Sequence, residues 1–243
     1  MKHTINIILL LISVLISGCS IVQVLFIEPK NESVTSVNEN YTFENDTLKI
    51  VYGFWEKNGV MAFMVENKLE IPIYIDWKKS AFISSKSKFG YYEDIKTTKY
   101  SGTSESVSFF YKGALNWSTW FPATYSETEG IEVKTKEERV TFIPPHSVIS
   151  RSSFKIYPSK YLMMDNIKKT KIENPKMNAK VVEFTKEISP LHFSNFITYS
   201  TKENFENEKY ISNEFYVSKA VEIGGEKLKK LSSPKSFYVV FGN

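Results

Sequence analysis

Cysteine is nearly absent, with Cys19 the only one in 243 residues. No intramolecular disulfide can form, so the fold must stand on its apolar core. Histidine is scarce as well: after the third residue only His146 and His192 occur. A zinc centre of the usual His/Cys type needs more donors than these, and neither metal nor cofactor is expected. Arginine is limited to Arg139 and Arg151. The formal net charge of +4 is carried almost wholly by lysines interspersed with glutamates. Nucleic-acid binders concentrate Lys and Arg on one face, so no nucleic-acid partner is expected. Lys168, Lys169 and Lys171 make one small basic cluster, and Lys227, Lys229 and Lys230 another. Both read as solvated surface.

The familiar catalytic signatures are missing too. There is no G-x-S-x-G elbow, no Walker-type or G-x-G-x-x-G phosphate loop and no D-x-D-x-D-G calcium loop. A hydrolase needs a nucleophile with a base in reach. His146 follows two prolines and His192 a Pro-Leu pair, which reads as loop or edge. A glycosidase needs two opposed carboxylates. Asp76, Asp94 and Glu132 are available, but nothing in their spacing pairs them. Asp76, between Ile75 and Trp77, most simply caps a turn or meets a lysine. The chain is expected not to be an enzyme.

What is present begins at the N-terminus. Lys2 supplies a positive start, and Ile5 to Ile16 is an apolar run broken only by Asn6 and Ser13. Those are parts of a secretory signal, and the run is short for a membrane span. Ile16-Ser17-Gly18-Cys19 resembles the lipobox of bacterial lipoproteins: an aliphatic residue, a small one, Gly or Ala, then Cys. The resemblance implies a signal peptide helix over 1–18, cleavage before Cys19, a diacylglycerol on its thiol and an acyl chain, palmitate, on the new amine. Two or more chains make such an anchor stable. Ser20 stands where many Gram-negative lipoproteins carry the Asp that implies inner-membrane retention. The resemblance thus implies the outer membrane rather than the inner. Two other readings are an ordinary signal and an uncleaved anchor, the latter because Ile21 to Ile27 stays apolar.

Cleavage leaves 225 residues with a net charge of +3, enough for one large domain. Residues 19–46 are expected to be the lipid-anchored start and a polar tether, and 47–243 the folded body. There the pattern has period two. Leu48, Ile50, Tyr52 and Phe54 alternate with Thr47, Lys49, Val51 and Gly53. Asn58-Gly59 tolerates the positive φ of a hairpin turn, and Val60 to Val65 returns. Further strands are expected at Ile71–Trp77, Ala81–Ser84, Arg139–Ile143, Ser147–Ile156, Val181–Ile188, Phe193–Ser200, Glu214–Ile223 and Ser236–Phe241. Phe215, Val217 and Val221 are expected to share a face. The Lys-rich stretch 160–180 is a candidate helix plus loop. Short strands bounded by turn residues predict an all-β, antiparallel, Ig-like β-sandwich.

Residues 85–130 interrupt this pattern as a long aromatic-rich insertion, with one or two short strands or a short helix expected near 114–120. Tyr111, Trp117, Trp120, Phe121 and Tyr125 are its candidate ligand-binding residues. Such rings stack on sugars, meet a membrane interface or cover one end of the sandwich. Asp46-Thr47-Leu48 resembles a short O-glycosylation acceptor motif and reads equally as a strand start.

The chain as a whole resembles a group of uncharacterised Gram-negative lipoproteins with Ig-like sandwich bodies. The residues that carry this are Phe43–Leu48, Tyr74–Trp77, Glu138–Pro145 and Ser189–Phe193. It implies fold and location but no activity. The expectation is a lipid-anchored cell-envelope protein, a non-catalytic binding or accessory module for a glycan or an envelope protein. The alternatives are a structural subunit of an envelope assembly and a hydrolase, which would need a pocket joining His146 or His192 to a serine or carboxylate.

Overall fold

The computed structural model describes residues 21–92, 96–99, 132–135, 138–157, 162–164, 168–173 and 175–241. In chain order the first strands are β1 (Ile21–Pro29), β2 (Val34–Val37), β3 (Asn40–Glu44), β4 (Leu48–Gly53), β5 (Val60–Asn67) and β6 (Ile73–Asp76). Next come β7 (Ala81–Ser84), β8 (Ser87–Gly90), β9 (Lys96–Lys99), β10 (Glu132–Thr135), β11 (Val140–Ile143) and β12 (Val148–Lys155). The rest are β13 (Lys169–Glu173), β14 (Lys176–Glu183), β15 (His192–Ser200), β16 (Lys209–Gly224) and β17 (Ser236–Phe241), with a 3-10 helix, Gly225–Leu231, before β17.

One sheet has the order β12-β5-β4-β3-β2. The larger follows β11-β6-β15-β16-β1-β17, with β7 and β8 beside β15 and β14 and β13 beside β16. The β9–β10 pair stands apart. Each ladder joining these strands is antiparallel. The all-β antiparallel architecture is the one the period-two pattern predicts.

The two sheets share one large core. Ile50 and Tyr52 of β4 and Phe63 of β5 meet Phe193 and Ile197 of β15 and Phe215 of β16. Strand β5 is buried on both faces, since Val60, Ala62 and Met64 form a smaller cluster behind it. A polar thread crosses the core as well. Tyr52 Oη accepts from Asn213 Nδ2 at 2.8 Å and from Asn195 Nδ2 at 3.2 Å, and Tyr91 Oη donates to Asn195 Oδ1 at 2.8 Å. Buried polar groups must find such partners, and these tie one sheet to the other. At the expected turn, Asn58 and Gly59 both have positive φ, 63° and 65°. A Cβ on Gly59 would fall 2.8 Å from Cγ of buried Phe237, so space as well as φ selects glycine there.

Several expectations are corrected. Residues 21–44 are no tether: β1 runs between β16 and β17, and β2–β3 complete the smaller sheet. The run Ile21 to Ile27 looks continuously apolar because β1 is covered on both faces. Leu25 and Ile27 enter the main core, and Val24 enters a second cluster. A strand buried twice does not alternate. Within the stretch 160–180, where a helix plus loop is expected, the described residues 169–173 and 176–180 belong to the β13–β14 hairpin. Ile172, Met177, Ala179 and Val181 share the second cluster, a period-two face among lysines. Phe215, Val217 and Val221 do not share a face. A bulge between Phe26 and Ile27 skips Ser218 in the ladder, so Val217 and Ala220 face the main core and Val221 the second cluster. One extra residue inverts the alternation beyond it.

Candidate functional site

Cys19 lies outside the described residues, as do Asp94 and the five insertion aromatics, Tyr111, Trp117, Trp120, Phe121 and Tyr125. Glu132 opens β10, while Asp76, His146 and Thr47 have structural partners. Asp76 is 1% exposed. Its Oδ1 accepts from the Lys78 and Lys79 backbone amides at 3.0 and 3.3 Å, and its Oδ2 accepts from Arg139 Nη2 at 2.9 Å. It caps a turn, and its ion-pair partner is an arginine where a lysine was expected. His146 sits at φ 53° in the turn after the double proline, with Nε2 3.0 Å from Glu70 Oε1 on the surface. Thr47 donates its backbone amide to Asn45 Oδ1 at 2.9 Å, in the turn that opens β4.

Arg151 is the residue the sequence reading missed. Its guanidinium lies 4.4 Å from the Trp77 ring centroid and 5.4 Å from that of Tyr91, and Nη2 donates to the Tyr91 carbonyl. The two rings meet edge-on at 5.8 Å, and the planar guanidinium stacks beside both in a way an ammonium does not. The available signal was its rarity, one of two arginines in a lysine-rich chain. Burial pushes the Tyr91 hydroxyl well above its ordinary range, with the charge of Tyr52 adding and that of Arg151 opposing.

Two clefts flank the β7–β8 hairpin. The first, about 560 Å³, is walled by Phe82, Phe89 and Phe154, with Ser84, Ser85, Ser87 and Lys155 at hand. Phe82 stacks on Phe154 at 5.6 Å and 13°, and Phe89 is 5.9 Å from each. Phe89 remains 43% exposed, a ring face open to solvent. The second cleft, about 720 Å³, is lined by Lys30, Lys86, Lys186, His192, Ser194 and Glu214, among others. The two share Ser85 and Pro190 as a common wall.

The turn in that wall is strained. Ser85 and Lys86 have φ of 49° and 71°, a type I′ conformation that normally takes Asn and Gly. Positive φ at residues of this kind costs of order 1 kcal/mol each and collects at ligand-binding positions. The Ser85 amide, donating to the His192 carbonyl at 3.2 Å, holds the turn against β15. Lys30 is paired with Glu214 at 3.3 Å. Among the described residues neither Lys86 nor Lys186 has a carboxylate within 4.0 Å. His192 Nδ1 is buried without a hydrogen-bond partner, and its ring lies 6.4 Å from Tyr216. No serine in the cleft, nor Glu214, hydrogen-bonds the imidazole. The arrangement offers ring faces, hydroxyls and lysine ammonium groups side by side, with Glu187 within electrostatic reach of Lys186 and Lys30.

Among the described residues no group of three His, Cys, Asp or Glu side chains could hold a metal ion, and no helix is long and apolar enough to cross a membrane. Comparison of the chain with protein-family models, with curated proteins and with solved structures returned no match.

Proposed function

We propose that this chain is a lipid-anchored protein of the cell envelope, held by Cys19 at the outer membrane rather than the inner, whose sandwich binds an acidic glycan and catalyses nothing. The observation that carries the binding reading is the pairing of an aromatic-walled cleft with a lysine-lined one across the strained Ser85–Lys86 turn. Sugar rings stack on aromatic faces, hydroxyls such as those of Ser84 and Ser87 orient them, and Lys86 and Lys186 meet carboxylate or phosphate substituents. The lipobox, Ile16-Ser17-Gly18-Cys19, carries the location.

The test is retention of the full-length protein, in detergent, on immobilised polygalacturonate against immobilised dextran. Binding to the acidic polymer alone is expected. Phe89→Ala and Lys86→Ala should each raise Kd about 10-fold, or about 1.4 kcal/mol. Both residues sit on the exposed hairpin, so neither change should unfold the body. Loss with Lys86→Ala but not Phe89→Ala would reduce the interaction to unspecific charge and sink the glycan reading.

One observation favours a second reading, hydrolysis: His192 shares its cleft with Ser85, Ser194, Ser212 and Glu214. Such an enzyme would be labelled on serine by a fluorophosphonate and lose the label in His192→Ala. Absence of labelling removes it.

A further inference from the structure

We infer that the Cys19 end of the sandwich is a membrane-contacting face, which seats the body directly on an acidic bilayer surface. The inference rests on the lipid anchor proposed above. Ile21, the first residue of β1, lies two residues after Cys19, and two residues span at most ~7 Å. A lipid inserted at Cys19 therefore leaves the end of β1 within that reach of the interface.

The side chains at this end suit such a neighbour. Ile21 pairs with Gly224 on one side and Phe241 on the other, so three strand ends coincide. Ile21 is 40% exposed and Phe241 53%. Gln23, on the same face of β1 as Ile21, exchanges two 3.0 Å hydrogen bonds with the backbone of Leu162. That fixes Met163 nearby, and Met163 is 78% exposed. Three of the nine large exposed apolar side chains among the described residues thus collect at one end of the sheet. Isolated exposed apolar residues need no explanation, but a cluster does, and apolar side chains beside an anchor enter the headgroup boundary.

Charge gathers at the same end. Gln23 is level with Glu222, Glu222 with Lys180, and Lys180 with Lys169. The β13–β14 hairpin then carries exposed Lys171 and Lys176 to the level of Ile21 and beyond it. The 3-10 helix leaves β16 here and adds Lys227. Of the acidic groups, Glu222 is paired with Lys180 at 2.9 Å, Glu226 lies 3.7 Å from Lys227, and Glu173 shares the hairpin tip. Among these described residues five lysines stand against three glutamates, and basic segments beside a membrane are drawn to acidic lipids. Two lysine clusters nearly sixty residues apart in sequence so meet beside the start of β1.

The test uses full-length protein, expressed with its lipid and reconstituted into vesicles of phosphatidylethanolamine and phosphatidylglycerol. Lipid blocks Cys19, so a nitroxide attaches only to a thiol introduced by Phe241→Cys or, separately, Met163→Cys. Tyr210→Cys is the reference, because Tyr210 is 71% exposed and lies fourteen residues before Gly224 on β16, about 45 Å away. Labels at 241 and 163 should be reached by dissolved oxygen and shielded from a water-soluble nickel chelate, with the reverse at 210. Protection should weaken in phosphatidylcholine vesicles, and equal protection there would remove the acidic surface from the inference. If mass spectrometry finds Cys19 acylated while labels 241 and 163 are as open to nickel as 210, direct seating is wrong and the anchor stands. An unacylated Cys19 takes down both.

Discussion

Phe215→Ala should lower the unfolding free energy by about 3–5 kcal/mol, the range for emptying a large buried aromatic site. The side chain is fully buried on β16, opposite Phe193 of β15 and Pro29 of β1. Its ring centroid lies 5.0 Å from Tyr52, 5.2 Å from Phe54, 5.5 Å from Phe193 and 6.1 Å from Tyr41. Those neighbours belong to both sheets, so the space cannot close by the shift of one strand. The effect should appear in urea titration as a lower midpoint with an unchanged slope. Tyr210→Ala on the same strand removes an exposed ring and should stay within about 0.5 kcal/mol. Equal costs at the two positions would mean that the sheets do not pack through Phe215.

The second large effect should come with alkali. Burial pushes the hydroxyls of Tyr52 and Tyr91 far above their ordinary value, and it does the same to Tyr41, helped by the charge of Glu28. Tyr216 is pushed up to about 12 by burial and by its hydrogen bond to Glu28, but its exposed position adds little to stability. The folded pKa values are raised, so the folded state keeps protons that the unfolded chain releases above about pH 10. The contribution is complete below that pH and is lost as pH rises toward the folded values. Each fully buried tyrosine removes about 1.4 kcal/mol of stability per pH unit in that window. Tyrosinate absorbance should rise together with the loss of structure. Tyr52→Phe should flatten the slope by one tyrosine's share. It should also begin about 1–3 kcal/mol lower, because Asn195 and Asn213 lose their shared acceptor. Stability that holds from about pH 9 to about pH 12 would contradict the closed core.

The sequence carried the strand-by-strand architecture wherever one face is wet. Strand β4 reads correctly because Leu48, Ile50 and Tyr52 are buried while Lys49 and Val51 are half-covered. Legibility failed in three physically distinct ways. β1 is wrapped on both faces, so its apolar run carries no period. The β13–β14 hairpin keeps period two, but lysines fill its open face and hide it. Ser218 adds one residue to β16, and no composition rule marks where a bulge falls. The candidate site was less legible than the fold. Phe82, Phe89 and Phe154 come from three strands, two of them more than sixty residues from the third, and meet only when β7, β8 and β12 close one edge. Ser85–Lys86 lacks the Asn-Gly signature that marked Asn58–Gly59, although it adopts a similar turn. His192 was singled out for its rarity, and its cleft could not be read from a single strand.

Lipid on Cys19 is the claim on which location, seating and partners all depend. The most direct measurement is mass spectrometry of the N-terminal peptide from membrane-extracted full-length protein, beside Cys19→Ala. A peptide that begins at Cys19 and carries diacylglycerol and acyl mass is the expected result, with Cys19→Ala unprocessed or released from the membrane. An intact Met1, or an unmodified Cys19 in membrane-bound protein, would contradict the account and make the apolar run before Cys19 the anchor.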